Sequence, residues 1–150
     1  MGLFSVTITH MENKPLQSIG TTVIVLNEDE QVLLGKRKDS YKSGCYGTPG
    51  GSIDRGEKLM EAAKRELFEE TSLVADEIAY VGVVKEWQED TQSDFIHFVY
   101  LCTSWSGTIS LNEPNKCEGW QWFDLDRLPS TILPGHLAGI AIMRNKSEVT

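Results

Sequence analysis

An α/β fold is predicted, in which a mixed β-sheet is covered by helices on both faces. β-rich runs occur both before and after a central stretch of strong helix formers, and a second helical stretch lies near the end of the chain. The 150 residues fall within the usual size of one domain, and no repeat or interior linker divides them. We therefore expect residues 1–150 to form a single domain.

The strands are predicted from β-branched and aromatic runs that end at polar turns. These runs cover residues 18–26, 31–35, 78–87, 95–102 and 119–123. The first two are joined by a short polar stretch and are predicted to form a hairpin. Residues 36–56 become basic and then glycine-rich, which is typical of a long functional loop that contains strand fragments.

Two helices are predicted. The first covers residues 57–72, which contain neither Pro nor Gly and are rich in helix formers. Asp54 and Glu57 have the spacing of a capping box at its start. Its apolar stripe consists of Leu59, Met60, Ala63 and Leu67. The second helix is predicted over residues 136–144, after a Pro-Gly pair.

Three glutamates of the first helix lie three or four residues apart and therefore share one face: Glu66, Glu69 and Glu70. Like charges at this spacing destabilise a helix by about 0.2 to 0.5 kcal/mol per pair, and a bound divalent cation would remove that repulsion. A solvated helix face is the alternative interpretation. Arg65 can pair with Glu61 or Glu69, either as a surface ion pair or to orient a catalytic carboxylate.

The segment from Gly51 to Leu73 resembles the signature of the Nudix hydrolases. In it, Gly51 is followed after five residues by Glu57, and after seven more by the run Arg65-Glu66-Leu67-Phe68-Glu69-Glu70. Ser72 is the one departure, because the family usually has Gly at that position. Weaker similarity extends over about residues 19–128, including the Pro-Gly-Gly entry to the motif.

This resemblance implies a Nudix fold, an α/β/α sandwich with a central mixed sheet and a catalytic loop-helix-loop that holds Mg²⁺, with Mn²⁺ as a substitute. The implied metal ligands are the carbonyl of Gly51 and the carboxylates of Glu66, Glu69, Glu70 and Glu118, with Glu113 as the second candidate for the late-loop acid. The implied catalytic residues are Glu66, Glu69 and Arg65. Either glutamate can be the general base, and the number of ions is left open.

Substrate contacts are predicted in and before the glycine-rich loop. Lys36 and Arg37 are candidates for binding phosphate, with solvated surface charge as the alternative. Tyr46 can stack on a base, as can three tryptophans, although core packing is the commoner role of such aromatics. The tryptophans are Trp87, Trp120 and Trp122. His97 and His136 are predicted to be structural or exposed to solvent.

A nucleoside triphosphate is the predicted substrate, with the monophosphate and pyrophosphate as products. The alternatives are a nucleoside diphosphate derivative such as ADP-ribose or a dinucleotide polyphosphate, and a non-catalytic Nudix-like regulator. The regulator is disfavoured because all three acids of the signature are present. Gly135 and His136 stand where some family members have two aspartates that read oxidised purines, which predicts a preference for unmodified nucleotides, such as pyrimidine ones.

The formal net charge of −8 disfavours an extended nucleic-acid partner, whereas one divalent ion and a few local cations can hold a small polyphosphate. The three cysteines are widely spaced, which indicates free thiols. No run of apolar residues is long enough to span a bilayer. We therefore predict a cytoplasmic protein without a membrane partner, either monomeric or homodimeric.

Overall fold

The computed structural model describes residues 17–39 and 42–149. In chain order its elements are β1 (Gln17–Val25), β2 (Gln31–Arg37), β3 (Tyr46–Gly47), β4 (Gly50–Ser52), α1 (Leu59–Thr71), β5 (Val74–Gln88), β6 (Ser93–Ser106), β7 (Cys117–Asp124) and α2 (Pro134–Val149). All five predicted strands and both predicted helices are present, several of them longer than expected. No described helix is long and apolar enough to cross a membrane.

The strands form two sheets. The larger one has the order β4-β1-β6-β5 and is mixed, because β1 and β6 run parallel while β4 and β5 run antiparallel to their neighbours. The smaller one has the order β3-β2-β7 and is antiparallel. The glycine-rich loop contributes β3 to one sheet and β4 to the other, so it connects the two sheets.

The two helices cover opposite faces of the larger sheet. Val23 and Val25 of β1 pack with Leu67 of α1 in one buried cluster. Ile24, between them, packs with Ile140 of α2 in a second cluster. Successive residues of a strand point to opposite faces, so the sheet lies between α1 and α2. This arrangement confirms the predicted α/β/α fold.

The predicted hairpin of β1 and β2 is wrong. The two strands belong to different sheets, and an isolated antiparallel bridge between Leu26 and Val32 joins them. The Asn27 side chain closes the turn by accepting hydrogen bonds from the N–H groups of Asp29 and Gln31. Both strands have consecutive buried residues, so their sequences lack the alternation that would fix a neighbour. Strand β1 pairs instead with β6, and β2 pairs with β7, and both partners are distant in sequence.

Helix α1 begins two residues later than predicted. Lys58 is extended, with φ −74° and ψ 150°, so the helical turns begin only at Leu59. Asp54 and Glu57 therefore close a turn before the helix, in which the Asp54 N–H donates to Glu57 Oε2 at 2.9 Å. At the observed start, the Lys58 N–H donates to Glu61 Oε2 at 3.3 Å.

The buried stripe of α1 lacks Met60 of the predicted stripe and also includes Ala62 and Thr71. Ala62, Ala63 and Leu67 are fully buried, whereas Met60 is 38% exposed. The helix thus turns its small side chains toward the sheet, and this close approach brings its neighbouring acidic face against β4.

Helix α1 ends at Ser72, which has the left-handed conformation expected there, with φ 68° and ψ 8°. Its N–H donates to the carbonyl of Phe68 at 2.8 Å. The Ser72 hydroxyl shares a 2.7 Å hydrogen bond with Ser110 and accepts a 2.8 Å bond from the side-chain amide of Asn112. Asn112 also donates to the carbonyl of Glu69 at 3.1 Å. The loop before β7 is therefore attached to the end of α1.

We expect Ser72→Gly to change the free energy of unfolding by no more than about 1 kcal/mol, since relief of the left-handed conformation offsets the lost hydroxyl bonds. Ser72→Ala is the matched control, because it loses the same bonds without that relief. In urea unfolding, Ser72→Ala should have a lower free energy of unfolding than Ser72→Gly. The metal requirement of activity should be unchanged, and a large loss of turnover in Ser72→Gly would contradict the structural role assigned to the hydroxyl.

Candidate active site

The glycine of the motif lies where a side chain has no room. A Cβ at Gly51 would be 2.6 Å from the carboxyl carbon of Glu66 and 2.7 Å from both of its oxygens. Gly51 belongs to β4, which pairs with β1 at Thr21. The backbone of the loop thus passes directly beside a carboxylate of α1, and any larger residue at this position would displace it.

Glu70 lies against the same strand. Its Oε2 accepts a 2.7 Å hydrogen bond from the Gly50 N–H. Burial raises the pKa of Glu70 to about 8, the bond from Gly50 opposes this rise, and the charges of Glu66 and Glu113 add to it. Burial also raises the pKa of Glu66 above its usual value. The carboxylates of Glu66 and Glu113 are therefore close enough to disfavour the ionisation of Glu70.

Arg65 connects the acids. Its Nε donates to Glu57 at 2.7 Å, and its Nη1 donates to Glu66 at 3.0 Å and to Glu69 at 3.1 Å. Glu57, and then Glu66, raise the pKa of Arg65, so the guanidinium stays protonated. Glu61, the other partner considered from the sequence, is bonded to the helix start instead. The contacts match those of a group that orients carboxylates.

Two clefts meet at these acids. We call the larger one, of about 380 Å³, the main cleft, and it is lined in part by Gly51, Glu66, Glu70, Glu113 and Arg37. The smaller one, of about 250 Å³, we call the side cleft. Glu70, Glu113 and Arg37 line both clefts. A ligand in either cleft would contact the acids.

The two late-loop candidates lie in different surroundings. Glu113 lines both clefts and follows Asn112, which ties this loop to the end of α1. Glu118 lies on β7, where its carboxylate pairs with Lys36 at 3.5 Å, and both side chains are largely exposed. The structure thus brings Glu113 to the acids of α1 and places Glu118 on the surface. The Glu69 side chain is 51% exposed, compared with 15% for Glu66, and it contacts the site through Arg65.

Of the predicted substrate-binding residues, Arg37 lies in the clefts. Lys36 pairs with Glu118 outside them. The ring of Tyr46 packs edge-on against Phe123, with centroids 5.2 Å apart, beside the core cluster on the α2 side. Among the tryptophans, Trp120 lines the side cleft. Trp122 stacks on Trp105, and Trp87 is exposed.

The main cleft also contains a buried polar group that the sequence did not reveal. Glu86 Oε2 lies 2.8 Å from His97 Nε2, and His97 Nδ1 lies 2.9 Å from the Thr22 hydroxyl. His136 accepts a 2.9 Å hydrogen bond from the Thr48 N–H. Burial, aided by the nearby charges of His97 and Arg37, lowers the pKa of His136 to about 3, so its ring is neutral. The signal in the sequence was Glu86, a charged residue inside a β-rich run.

The donor set around Gly51 fits a hard divalent ion. Glu66, Glu70 and Glu113 offer only carboxylate oxygens, which Mg²⁺ prefers. The charges of Glu66 and Glu113 repel that of Glu70 and help to raise its pKa, and a cation would remove this repulsion. Within residues 17–39 and 42–149, however, no three His, Cys, Asp or Glu side chains are already arranged around a single ion position. Binding of a metal ion would therefore require these side chains to move. The hydrogen bond from Arg65 to Glu66 is the contact that we expect to change.

A family model described as the NUDIX domain matches residues 16–143. This chain belongs to the Nudix family. It is 35% identical over 129 residues to a Bacillus subtilis protein named "Putative 8-oxo-dGTP diphosphatase", covering 86% of this chain and 81% of that protein. It is 31% identical over 105 residues to the ADP-ribose pyrophosphatase of Methanocaldococcus jannaschii, covering 70% of this chain and 61% of that one.

The fold is shared with solved Nudix structures. The MutT NUDIX hydrolase of Burkholderia pseudomallei superposes with a TM-score of 0.79 at 28% identity, covering 84% of this chain and 97% of that one. Together with the relatives above, this identifies a MutT-like Nudix hydrolase that acts on phosphoanhydride bonds of nucleotides. The resemblance stated from the motif is confirmed.

Glu66→Gln and Glu70→Gln should each lower kcat of this Nudix hydrolase by about 100-fold or more, because each removes a charge from the carboxylate group at the cleft. Glu77→Gln, on the exposed part of β5, is the matched control and should keep full turnover. Steady-state assays over a range of Mg²⁺ concentrations measure this effect. Near-normal kcat in both site variants at saturating Mg²⁺ would rule out the assigned site.

The raised pKa of Glu70 predicts a pH dependence of stability in chelator-treated protein. Its folded-state pKa of about 8 lies above the ordinary value of 4.5. The contribution of protonated Glu70 is therefore complete below about pH 4.5 and is lost as the pH rises through about 8. The melting temperature of the wild type should fall over this range relative to that of Glu70→Gln. Parallel curves for the two proteins would contradict the raised pKa.

Proposed function

We propose that this enzyme hydrolyses a nucleoside triphosphate to the monophosphate and pyrophosphate in the presence of Mg²⁺, with Mn²⁺ as a substitute. The observation that carries the proposal is the composition of the main cleft. It combines the acids of α1 with Arg37 and with a separate buried polar group on β5 and β6. The acids and Arg37 suit a metal-bound polyphosphate, and the buried polar group suits a base.

The residues that would hold Mg²⁺ are the carbonyl of Gly51 and the carboxylates of Glu66, Glu69, Glu70 and Glu113, with Glu118 as the weaker late-loop candidate. When bound, the ion neutralises charge on the phosphate oxygens and lowers the pKa of a water molecule. Arg65 holds Glu66 and Glu69 in place through charge-assisted hydrogen bonds. Glu66 or Glu69 then takes the proton of the attacking water as general base.

Cationic side chains in the cleft suit the phosphate chain. Arg37 lines both clefts, and its charge is near enough to lower the pKa of Glu70. Lys116 lines both clefts as well and pairs with Glu113 at 3.3 Å. We propose that these two side chains bind phosphate oxygens. Lys36 and Tyr46, predicted from the sequence as further contacts, lie outside both described clefts and are weaker candidates.

A nucleoside diphosphate derivative is the second candidate substrate, favoured by the similarity to an ADP-ribose pyrophosphatase. A non-catalytic regulator is the third possibility, and the intact acids around Gly51 argue against it. The three are separated by their products. A triphosphate gives pyrophosphate, ADP-ribose gives AMP and ribose phosphate, and a regulator releases neither.

We propose the cellular compartment and the partners of the protein from its cysteines and its net charge. Cys45, Cys102 and Cys117 are all unpaired, which suits a reducing compartment such as the cytoplasm. The net charge of −8 suits a small nucleotide better than an extended nucleic acid. We propose no membrane partner, and a monomer or a homodimer.

With Mg²⁺ present, we expect pyrophosphate release from unmodified nucleoside triphosphates with a higher kcat/KM than from 8-oxo-dGTP. Position 135 cannot supply a base-reading aspartate, because its Cβ alone would lie 2.4 Å from His97 Nε2. Rates for dCTP, dTTP, dGTP, 8-oxo-dGTP and ADP-ribose measure this preference. A hundredfold preference for 8-oxo-dGTP would contradict it, and orthophosphate as the product would contradict the proposed reaction.

A further inference from the structure

Glu86 and His97 form a fixed pair in the main cleft. They lie on the antiparallel strands β5 and β6, and the side chains are only 6% and 5% exposed. His97 is bonded on its other side to Thr22 of β1. Three neighbouring strands therefore determine where the carboxylate of Glu86 lies.

One oxygen of Glu86 is left over. Oε2 is bonded to His97, whereas Oε1 is buried and has no hydrogen-bond partner among the residues that the structure describes. A buried polar atom without a partner is costly, so folded proteins rarely leave one without a reason. Glu86 lines the same cleft as Glu66 and Glu70. A hydrogen-bond donor on a bound ligand would satisfy this oxygen.

Helix α2 closes one side of the Glu86–His97 pair. The first turn of α2 passes so close that a Cβ at Gly135 would lie 2.5 Å from Glu86 Oε2 and 2.4 Å from His97 Nε2. Phe95, which is opposite Glu86 in the strand register, also lines the cleft. Glu86 thus combines an unpaired acceptor with an aromatic neighbour, a pairing suited to the flat polar edge of a nucleobase.

We propose that Glu86 selects the base of the substrate by accepting a hydrogen bond from an exocyclic amino group. The inference rests on the proposed nucleotide hydrolysis and narrows it to bases that carry such an amine. A base with a carbonyl oxygen at that position places one acceptor against another and leaves both unpaired. Sites built around a substrate N–H discriminate strongly against analogues that lack it.

Two pairs of nucleotides test this selection, because each exchanges an amino group for a carbonyl: dCTP with dUTP, and dATP with dITP. We expect kcat/KM to favour the amino member of at least one pair by about 10- to 100-fold, the range for one buried hydrogen bond. Glu86→Gln keeps the size of the side chain but can present an NH₂ donor. It should reduce that ratio by about 10-fold or more, mainly through the carbonyl member becoming a better substrate.

Glu77→Gln on the exposed part of the same strand is the matched control and should leave the ratio unchanged. Calorimetric binding of dCMP and dUMP without metal, and of dAMP and dIMP, gives a second measure of selection that does not depend on turnover. Wild-type ratios near one in both assays would overturn the role of Glu86, as would an unchanged ratio in Glu86→Gln. Absence of pyrophosphate release from every triphosphate would instead contradict the proposed function, while the monophosphate titrations would still test Glu86.

Discussion

The arrangement of the acids depends on the guanidinium of Arg65. It bonds to Glu57 before the helix, to Glu66 and Glu69 on it, and to the carbonyl of Ser52 at 2.9 Å. Carboxylates this close repel one another, and burial strengthens that repulsion. The Arg65 guanidinium is permanently charged and binds several of these carboxylates at once, so it stabilises them in the folded protein. It also joins the loop to the helix, so the shape of the cleft follows from the same contacts.

The other end of α1 is fixed by different chemistry. Ser72 and Asn112 attach the loop before β7 to the last turn of the helix, and that loop carries Glu113 into the clefts. Burial, and then the charges of Glu66 and Glu113, raise the pKa of Glu70, so a charged carboxylate is disfavoured there. Such strain is typical of a functional site, where stability is given up for a ligand that will relieve it.

The sequence predicted what is local along the chain. Offsets of three and four residues placed the acids of α1 on one face, and the helix was predicted to within two residues of its observed bounds. The β1–β2 hairpin was wrong because both strands are buried on both faces and their partners are remote in sequence. Glu86 was missed, and His97 and His136 were predicted only to be structural or exposed to solvent, because the three side chains meet only after β5, β6 and α2 have packed together.

The two parts of the main cleft therefore have different origins. The acids come from α1 and from the loop before β7, while the polar group around Glu86 combines the neighbouring strands β5 and β6 with β1 and α2. Gly135 shows how the second part is closed: a side chain there would collide with both Glu86 and His97, so the carboxylate is supplied by a strand instead of the α2 start. The acids of α1 and the Glu86–His97 pair lie on different elements, so we expect changes in base selection and changes in hydrolysis to combine nearly additively. A Nudix cleft built in this way can acquire a new base preference without disturbing its acids.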